Sequence, residues 1–305
     1  MSKIAFLFPG QGSQSVGMGA DFYEHFDVAR EIMDTAEAVT GLPIKQLCFE
    51  GPMKTLTETV HLQPAVTTIN LICLKAVMDA GVQADLAAGH SLGEFSALRA
   101  AGVLSDADTL KLVHRRGELM HREATANKGA MHAVIGLSRE ALDALVAQVT
   151  DQGPVSVANH NTAEQIVTTG APAAVKAVSA LAKEKGAKAI PLKVSGAWHS
   201  ELIRGAEADF SAFLGSVDFS APKLPILHNV TADTCEAAAG VRDLMARQLC
   251  SPVRWYDTDQ RMAADQVDLF VELGPGKVLT GLVKKSLPED YAPNGQAPKM
   301  FNVFD

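Results

Sequence analysis

The chain has 305 residues, 47% hydrophobic and 20% charged, which suits one large domain or a main domain with a smaller one and excludes a disordered or collagen-like chain. Its 27 basic and 35 acidic side chains give a formal charge of -8. No Lys/Arg-rich run supplies a phosphate-neutralising surface, so nucleic acid is not an expected partner.

The first element is a buried strand, Ile4 to Phe8, a continuous apolar run stopped by Pro9 and Gly10. It is too short for a signal peptide or a membrane span, so the expectation is a cytoplasmic protein with no membrane partner. A helical pattern from Ala65 to Ala80 follows, then a strand at Asp85 to Ala88, a helical stretch from Glu94 to Ala101 and another from Leu104 to Met120. Strands interleaved with helices predict an α/β sheet. The middle segment differs. Gly129 to Ile135 reads as a strand, Arg139 to Val149 as a helix, Val155 to Ala158 and Gln165 to Thr169 as strands, Ala173 to Lys185 as a helix and Ala189 to Val194 as a strand. This β-α-β-β-α-β order is that of a ferredoxin-like unit. Residues 126–195 are therefore expected to form a small subdomain inserted into a larger domain of residues 1–125 and 196–305. A last apolar run, Val267 to Leu273, closes at Gly274-Pro275-Gly276.

Cys48, Cys73, Cys235 and Cys250 are scattered, without a C-x-x-C pair or zinc-finger spacing, so neither a disulfide framework nor a zinc site is suggested and most are expected to be buried thiols. The chemistry centres instead on Gly89-His90-Ser91-Leu92-Gly93, a G-x-S-x-G between an apolar strand and a helical stretch. Its glycines allow a sharp turn that projects the Ser91 hydroxyl, and the N–H groups at the helix start can hold a developing oxyanion. Nine histidines compete to be its base. His25, His114 and His121 lie in polar helical patterns and read as solvated; His61, His132, His160 and His228 have no distinguishing context. His199 stands apart in Ser195-Gly196-Ala197-Trp198-His199-Ser200, a small-residue turn after the predicted strand. The loop Gly10-Gln11-Gly12-Ser13-Gln14 lacks the third glycine of a dinucleotide fingerprint and any Gly-Lys-Ser/Thr, so it is not a nucleotide loop. Arg115 and Arg116 read as an ordinary solvated helical pair, although a fixed guanidinium binds a carboxylate bidentately.

Taken together, the 10–14 loop, Gly89 to Glu94, Arg116-Gly117, Ser195 to Ser200, Gln248-Leu249 with Pro252-Val253-Arg254-Trp255, and Glu272 to Gly276 closely resemble, in order and spacing, the bacterial malonyl-CoA:acyl-carrier-protein transacylases. The resemblance runs from residue 4 to about residue 287. It implies an α/β-hydrolase-like large domain with a mostly parallel sheet and an inserted ferredoxin-like subdomain. It implies Ser91 as nucleophile, His199 as general base, Arg116 as partner of the malonyl carboxylate, and the Gln11 and Leu92 amides as oxyanion hole. A backbone carbonyl near Gln248 would orient the imidazole in place of a third acidic residue, and Gln63 and Asn161 would line the pocket. The implied substrate is malonyl-CoA and the partner is acyl carrier protein, which brings its own phosphopantetheine; no cofactor or metal is implied. The chain departs from the family where Phe often precedes the histidine and Trp198 stands here, a larger ring expected to narrow the acyl pocket. It departs again at Asn161-Thr162-Ala163-Glu164-Gln165, where Asn-Ser-Pro-Gly-Gln is common. Two other readings compete. A serine esterase or thioesterase would share the elbow with water as acceptor, but usually carries its histidine late in the chain. A non-catalytic carrier-binding protein would not need both Ser91 and His199.

Overall fold

The computed structural model describes residues 2–304. Among them, five strands make one parallel sheet: β1 (Ile4–Phe8), β2 (Leu86–Gly89), β7 (Ile226–Leu227), β8 (Leu269–Glu272) and β9 (Lys299–Asn302), in the order β7-β2-β1-β8-β9. The apolar run of β1 has no polar alternation because both of its faces are covered. Ala5 and Leu7 pack with Leu86, Leu227, Phe270 and Leu279 on one side. Phe6 and Phe8 face the other core, which contains Leu62, Val66, Ile69 and Phe95.

That second core is built around two 21-residue helices, Thr59–Asp79 and Asp106–Ala126, which lie against each other. The first is long and apolar enough to cross a membrane, yet 72% of its most apolar window is buried within the protein. It begins six residues before the predicted start and carries Pro64 in its interior. The second begins later than expected because the Ser105 hydroxyl accepts the Asp108 N–H at 3.0 Å and caps it, and it continues to Ala126.

The middle segment folds as expected in kind. β3 (Ala130–Ile135), β4 (Val155–Thr162), β5 (Gln165–Gly170) and β6 (Lys188–Pro191) form an antiparallel sheet in the order β4-β5-β3-β6, the ferredoxin-like arrangement. The helices Arg139–Ala147 and Pro172–Glu184 cover one face around Val134, Leu142, Ile166 and Val178. The other face contributes Met131, Ala133, Ala158 and Val167 to the main core. Backbone bonds on both sides of Val253, His160 N–H to Val253 O at 2.9 Å and Val253 N–H to Ala158 O at 2.8 Å, tie β4 to the rest of the chain.

Two strands were not expected. β7 is only two residues long and β9 alternates exposed and half-buried residues, so neither carries the apolar run that marked the others. The strand expected to reach Val194 ends at Pro191.

Candidate active site

The turn around Ser91 is dictated by close packing. A Cβ on Gly93 would lie 1.9 Å from the Phe8 carbonyl oxygen, and one on Gly89 would lie 2.1 Å from the Gly93 backbone. Only glycines let β1, β2 and the helix Gly93–Ala100 approach this closely. Ser91, between them, is held at φ 49°, an unusual left-handed conformation for a residue with a side chain. Asn229 maintains the turn: its Oδ1 accepts the Ser91 N–H at 2.7 Å and its Nδ2 donates to Gly89 O at 2.7 Å. Behind it, the buried Glu94 carboxylate accepts from His228 Nδ1 at 2.8 Å, from the Asn229 N–H at 3.3 Å and from Gln248 Nε2 at 2.7 Å.

The Ser91 hydroxyl lies 2.8 Å from His199 Nε2. On the far side of the ring Nδ1 is 3.0 Å from the Gln248 carbonyl oxygen. A carbonyl only accepts, so Nδ1 carries the proton and Nε2 is left as the acceptor for the serine hydroxyl. Burial, followed by the positive charge of Arg116, lowers the imidazole pKa to about 3. The imidazole is therefore neutral at ordinary pH, its Nε2 free to accept a proton.

Arg116 does not lie on a solvated face. It is 1% exposed, whereas Arg115 is half-exposed and pairs with Glu118 at 3.0 Å. The next residue explains the difference: a Cβ on Gly117 would come within 2.9 Å of Thr59 O, so the two long helices pack tightly here and direct Arg116 inward. Arg116 Nη1 donates to Gln63 Oε1 at 3.0 Å, and Nη2 donates to Gln248 Oε1 at 3.0 Å and to Ser91 Oγ at 3.1 Å. All three acceptors are uncharged. Burial lowers the guanidinium pKa to about 10, opposed by the charge of Glu94, so it remains a cation at neutral pH.

These groups surround a cavity of about 90 Å³ whose lining includes Gln11, Ser91, Leu92, Arg116, Trp198 and His199. Among the described residues, neither the Gln11 nor the Leu92 amide donates to a protein acceptor, which leaves both N–H groups for an oxyanion. Trp198 is a wall of this cavity and is 5% exposed.

Three expectations need correction. Asn161 does not line the Ser91 cavity; its Oδ1 accepts from His90 Nε2 at 2.9 Å and it borders an adjoining cavity of about 180 Å³, while Asn159 borders both. The Gln63 side chain lies behind Arg116, not on the cavity wall. His114 is half-buried, its pKa lowered by burial. Asn229, His228 and Glu94 escaped the sequence reading: Glu94 merely ended the elbow motif, and Asn229 follows a two-residue strand with no recognisable pattern. Cys48 and Cys73 are buried, Cys235 and Cys250 are only partly so, and all four are free of disulfides. Among the described residues no group of three or more His, Cys, Asp or Glu side chains is placed to hold a metal ion.

Residues 5–301 match the acyl transferase domain family. The chain belongs to that family. Among acyl transferases, it is 44% identical over 287 residues to a malonyl CoA-acyl carrier protein transacylase of Bacillus subtilis, covering 93% of this chain and 90% of the relative. A Haemophilus influenzae protein of the same name is 40% identical over 308 residues, covering 100% of this chain and 99% of the relative. The crystal structure of an acyl-carrier-protein S-malonyltransferase from Burkholderia pseudomallei superimposes with a TM-score of 0.92 at 38% identity, covering 99% of this chain and 96% of the other. A malonyl-transacylase solved in complex with its type II polyketide acyl-carrier protein gives a TM-score of 0.92 at 35% identity, covering 100% of this chain and 96% of the other. This acyl transferase thus shares its whole architecture, both sheets included, with malonyl-transferring relatives.

Proposed function

We propose that this chain transfers the malonyl group from malonyl-CoA to the phosphopantetheine thiol of acyl carrier protein through a malonyl ester on Ser91. The observation that carries the assignment is a buried, charged Arg116 whose protein acceptors are all neutral, 3.1 Å from the hydroxyl that His199 activates. A cation left without a carboxylate partner in a small cavity suits an acyl group that brings its own carboxylate.

In the first half-reaction Ser91 Oγ attacks the thioester carbonyl while His199 Nε2 takes the hydroxyl proton. The Gln11 and Leu92 amides hold the oxyanion, and the Gln248 carbonyl accepts from Nδ1–H of the imidazolium. The C–S bond breaks, His199 returns the proton to the CoA sulfur, and the malonyl ester remains. In the second half the pantetheine thiol gives its proton to His199, its sulfur attacks the ester carbonyl, and Ser91 leaves with that proton. Arg116 holds the malonyl carboxylate throughout, with Gln63 and Gln248 fixing the plane of the guanidinium. The walls that bury the site exclude water from the ester.

The same reading divides the chain into residues 1–125 with 196–305, which carry Ser91, Arg116 and His199, and residues 126–195, whose sheet supplies Met131 and Asn159 to the cavity. Four unpaired thiols support a reducing, cytoplasmic location. Radiolabelled malonyl-CoA tests the function: label should reach the protein alone, and then the carrier once holo-acyl carrier protein is added. Label appearing only as free malonate at a rate indifferent to the carrier would make the chain a thioesterase.

A further inference from the structure

Arg116 is a buried cation whose own hydrogen bonds reach only neutral acceptors. An isolated charge in such a place is costly, so a counter-charge is expected close by. Among the described residues, one acidic side chain acts on the guanidinium, Glu94. It lies in the first turn of the helix Gly93–Ala100, just behind the Ser91 turn, and is buried.

The two do not form an ion pair. The Gln248 amide stands between them: its Nε2 donates to Glu94 Oε2 at 2.7 Å, and its Oε1 accepts from Arg116 Nη2 at 3.0 Å. The direction of this amide is fixed a second time, because Nε2 also donates to the Ser91 carbonyl at 2.9 Å, and a carbonyl only accepts. The other Glu94 oxygen accepts from His228 Nδ1 at 2.8 Å and from the Asn229 N–H at 3.3 Å, which pins the carboxylate from the far side. A direct bidentate salt bridge would take two guanidinium N–H groups, whereas the amide takes one. The opposite charge thus stays near Arg116 without a carboxylate resting on it.

The other groups packed around Arg116 add no second anion. The helix Thr59–Asp79 presents Gln63, and the Phe95 ring faces the guanidinium at 5.7 Å. His90 and His199 are imidazoles whose pKa burial lowers, and the small subdomain brings Met131 and Asn159 to the cavity.

We propose that Glu94 is the positioning residue and counter-charge of Arg116: acting through the Gln248 amide, its carboxylate balances and aims the guanidinium without competing for the acyl carboxylate. The proposal rests on the malonyl-Ser91 reading above and deepens it. The preference of the cavity for acyl groups with a terminal carboxylate then depends on a buried acid that never touches the substrate.

Glu94→Gln keeps nearly the same shape and removes the charge. The readout is the ratio of kcat/KM for malonyl-CoA to that for acetyl-CoA, followed with pH. Both substrates use Ser91, His199 and the oxyanion amides, so damage to the Ser91 turn lowers both alike and leaves the ratio unchanged; only malonyl-CoA uses Arg116. In the wild type the ratio should fall as Arg116 loses its proton near pH 10. In Glu94→Gln the midpoint of that fall should move down by about one pH unit, because a nearby opposite charge favours the ionised form. Glu94→Asp keeps the charge but is too short to span both Gln248 and His228. Its midpoint should stay near the wild-type value, while its ratio at neutral pH falls about tenfold through loss of aim. A wild-type midpoint in Glu94→Gln, or equal losses on both substrates in Glu94→Asp, overturns the proposal and leaves Glu94 a support of the Ser91 turn only. Should Glu94→Gln not fold, the neutral-pH ratio of Glu94→Asp decides alone. Failure of the underlying site reading looks different: Arg116→Ala itself then keeps the wild-type ratio.

Discussion

His199 and Gln248 meet through the main chain: the imidazole Nδ1 lies 3.0 Å from the Gln248 carbonyl oxygen, while the Gln248 side chain turns to Arg116 and Glu94. One residue thus orients the imidazole with one group and the guanidinium with another. Main-chain support survives any side-chain substitution. Side-chain support does not.

Gln248→Ala therefore separates the two roles. The carbonyl remains, so kcat should stay within a few fold. Arg116 loses an acceptor and Glu94 a donor, so KM for malonyl-CoA should rise about tenfold or more. A steady-state comparison of kcat and KM checks this; a collapse of kcat at unchanged KM would mean that the side chain, not the carbonyl, serves the base.

His199→Ala should lower transfer by about 10²–10⁴-fold, the usual contribution of a general base, with an unchanged circular dichroism spectrum. The pH profile carries a sharper expectation. Burial and Arg116 lower the imidazole pKa to about 3, so kcat/KM should show no acid limb near the ordinary histidine value of about 6.5. The linkage to stability has a definite sign. Between about 6.5 and 3 the unfolded chain binds a proton at this position that the native chain refuses, so native stability falls as pH drops through that window. Chemical denaturation of the wild type and His199→Gln at several pH values should show a smaller acid loss in the variant.

Arg116→Ala should lose malonyl-CoA activity and spare or raise acetyl-CoA transfer, changing the ratio by about one to two orders of magnitude. Arg115→Ala should leave the ratio unchanged, since its half-exposed side chain pairs with Glu118. Parallel assays with the two acyl-CoA substrates decide between them.

Gly117→Ala places a methyl group 2.9 Å from Thr59 O, a contact between two helix backbones that flexible side chains cannot relieve. Overpacking of this kind typically costs about 1–3 kcal/mol. A lowered thermal midpoint should accompany a loss of malonyl selectivity, because separating the helices also moves Gln63 away from Arg116.

The sequence signals that succeeded were those imposed by covalent or local constraint. The elbow was legible because only Gly89 and Gly93 permit the approach of β1 and β2 to the helix that follows. The β-α-β-β-α-β order was legible because each element buries a continuous or periodic apolar pattern. Arg116 illustrates the limit. On residue type alone it read as solvated, and only the resemblance placed it in the pocket; the physical reason, Gly117 against Thr59, spans 58 positions of sequence. Asn229 and His228 were invisible because their work is tertiary. They follow a two-residue strand and act through Glu94 and Ser91, more than 130 residues away. β9 was missed because an edge strand with half its residues exposed needs no apolar run.

The most direct test of the account is a chase of the acyl-enzyme. Wild-type protein is mixed with malonyl-CoA, quenched and digested, and the modified peptide is located by mass spectrometry before and after addition of holo-acyl carrier protein. The account predicts a malonyl ester on Ser91 alone, absent from Ser91→Ala, and its quantitative passage to the carrier's phosphopantetheine thiol. An ester on Ser13 or a thioester on a cysteine, or a Ser91 ester that decays to free malonate at the same rate whether or not the carrier is present, would contradict it.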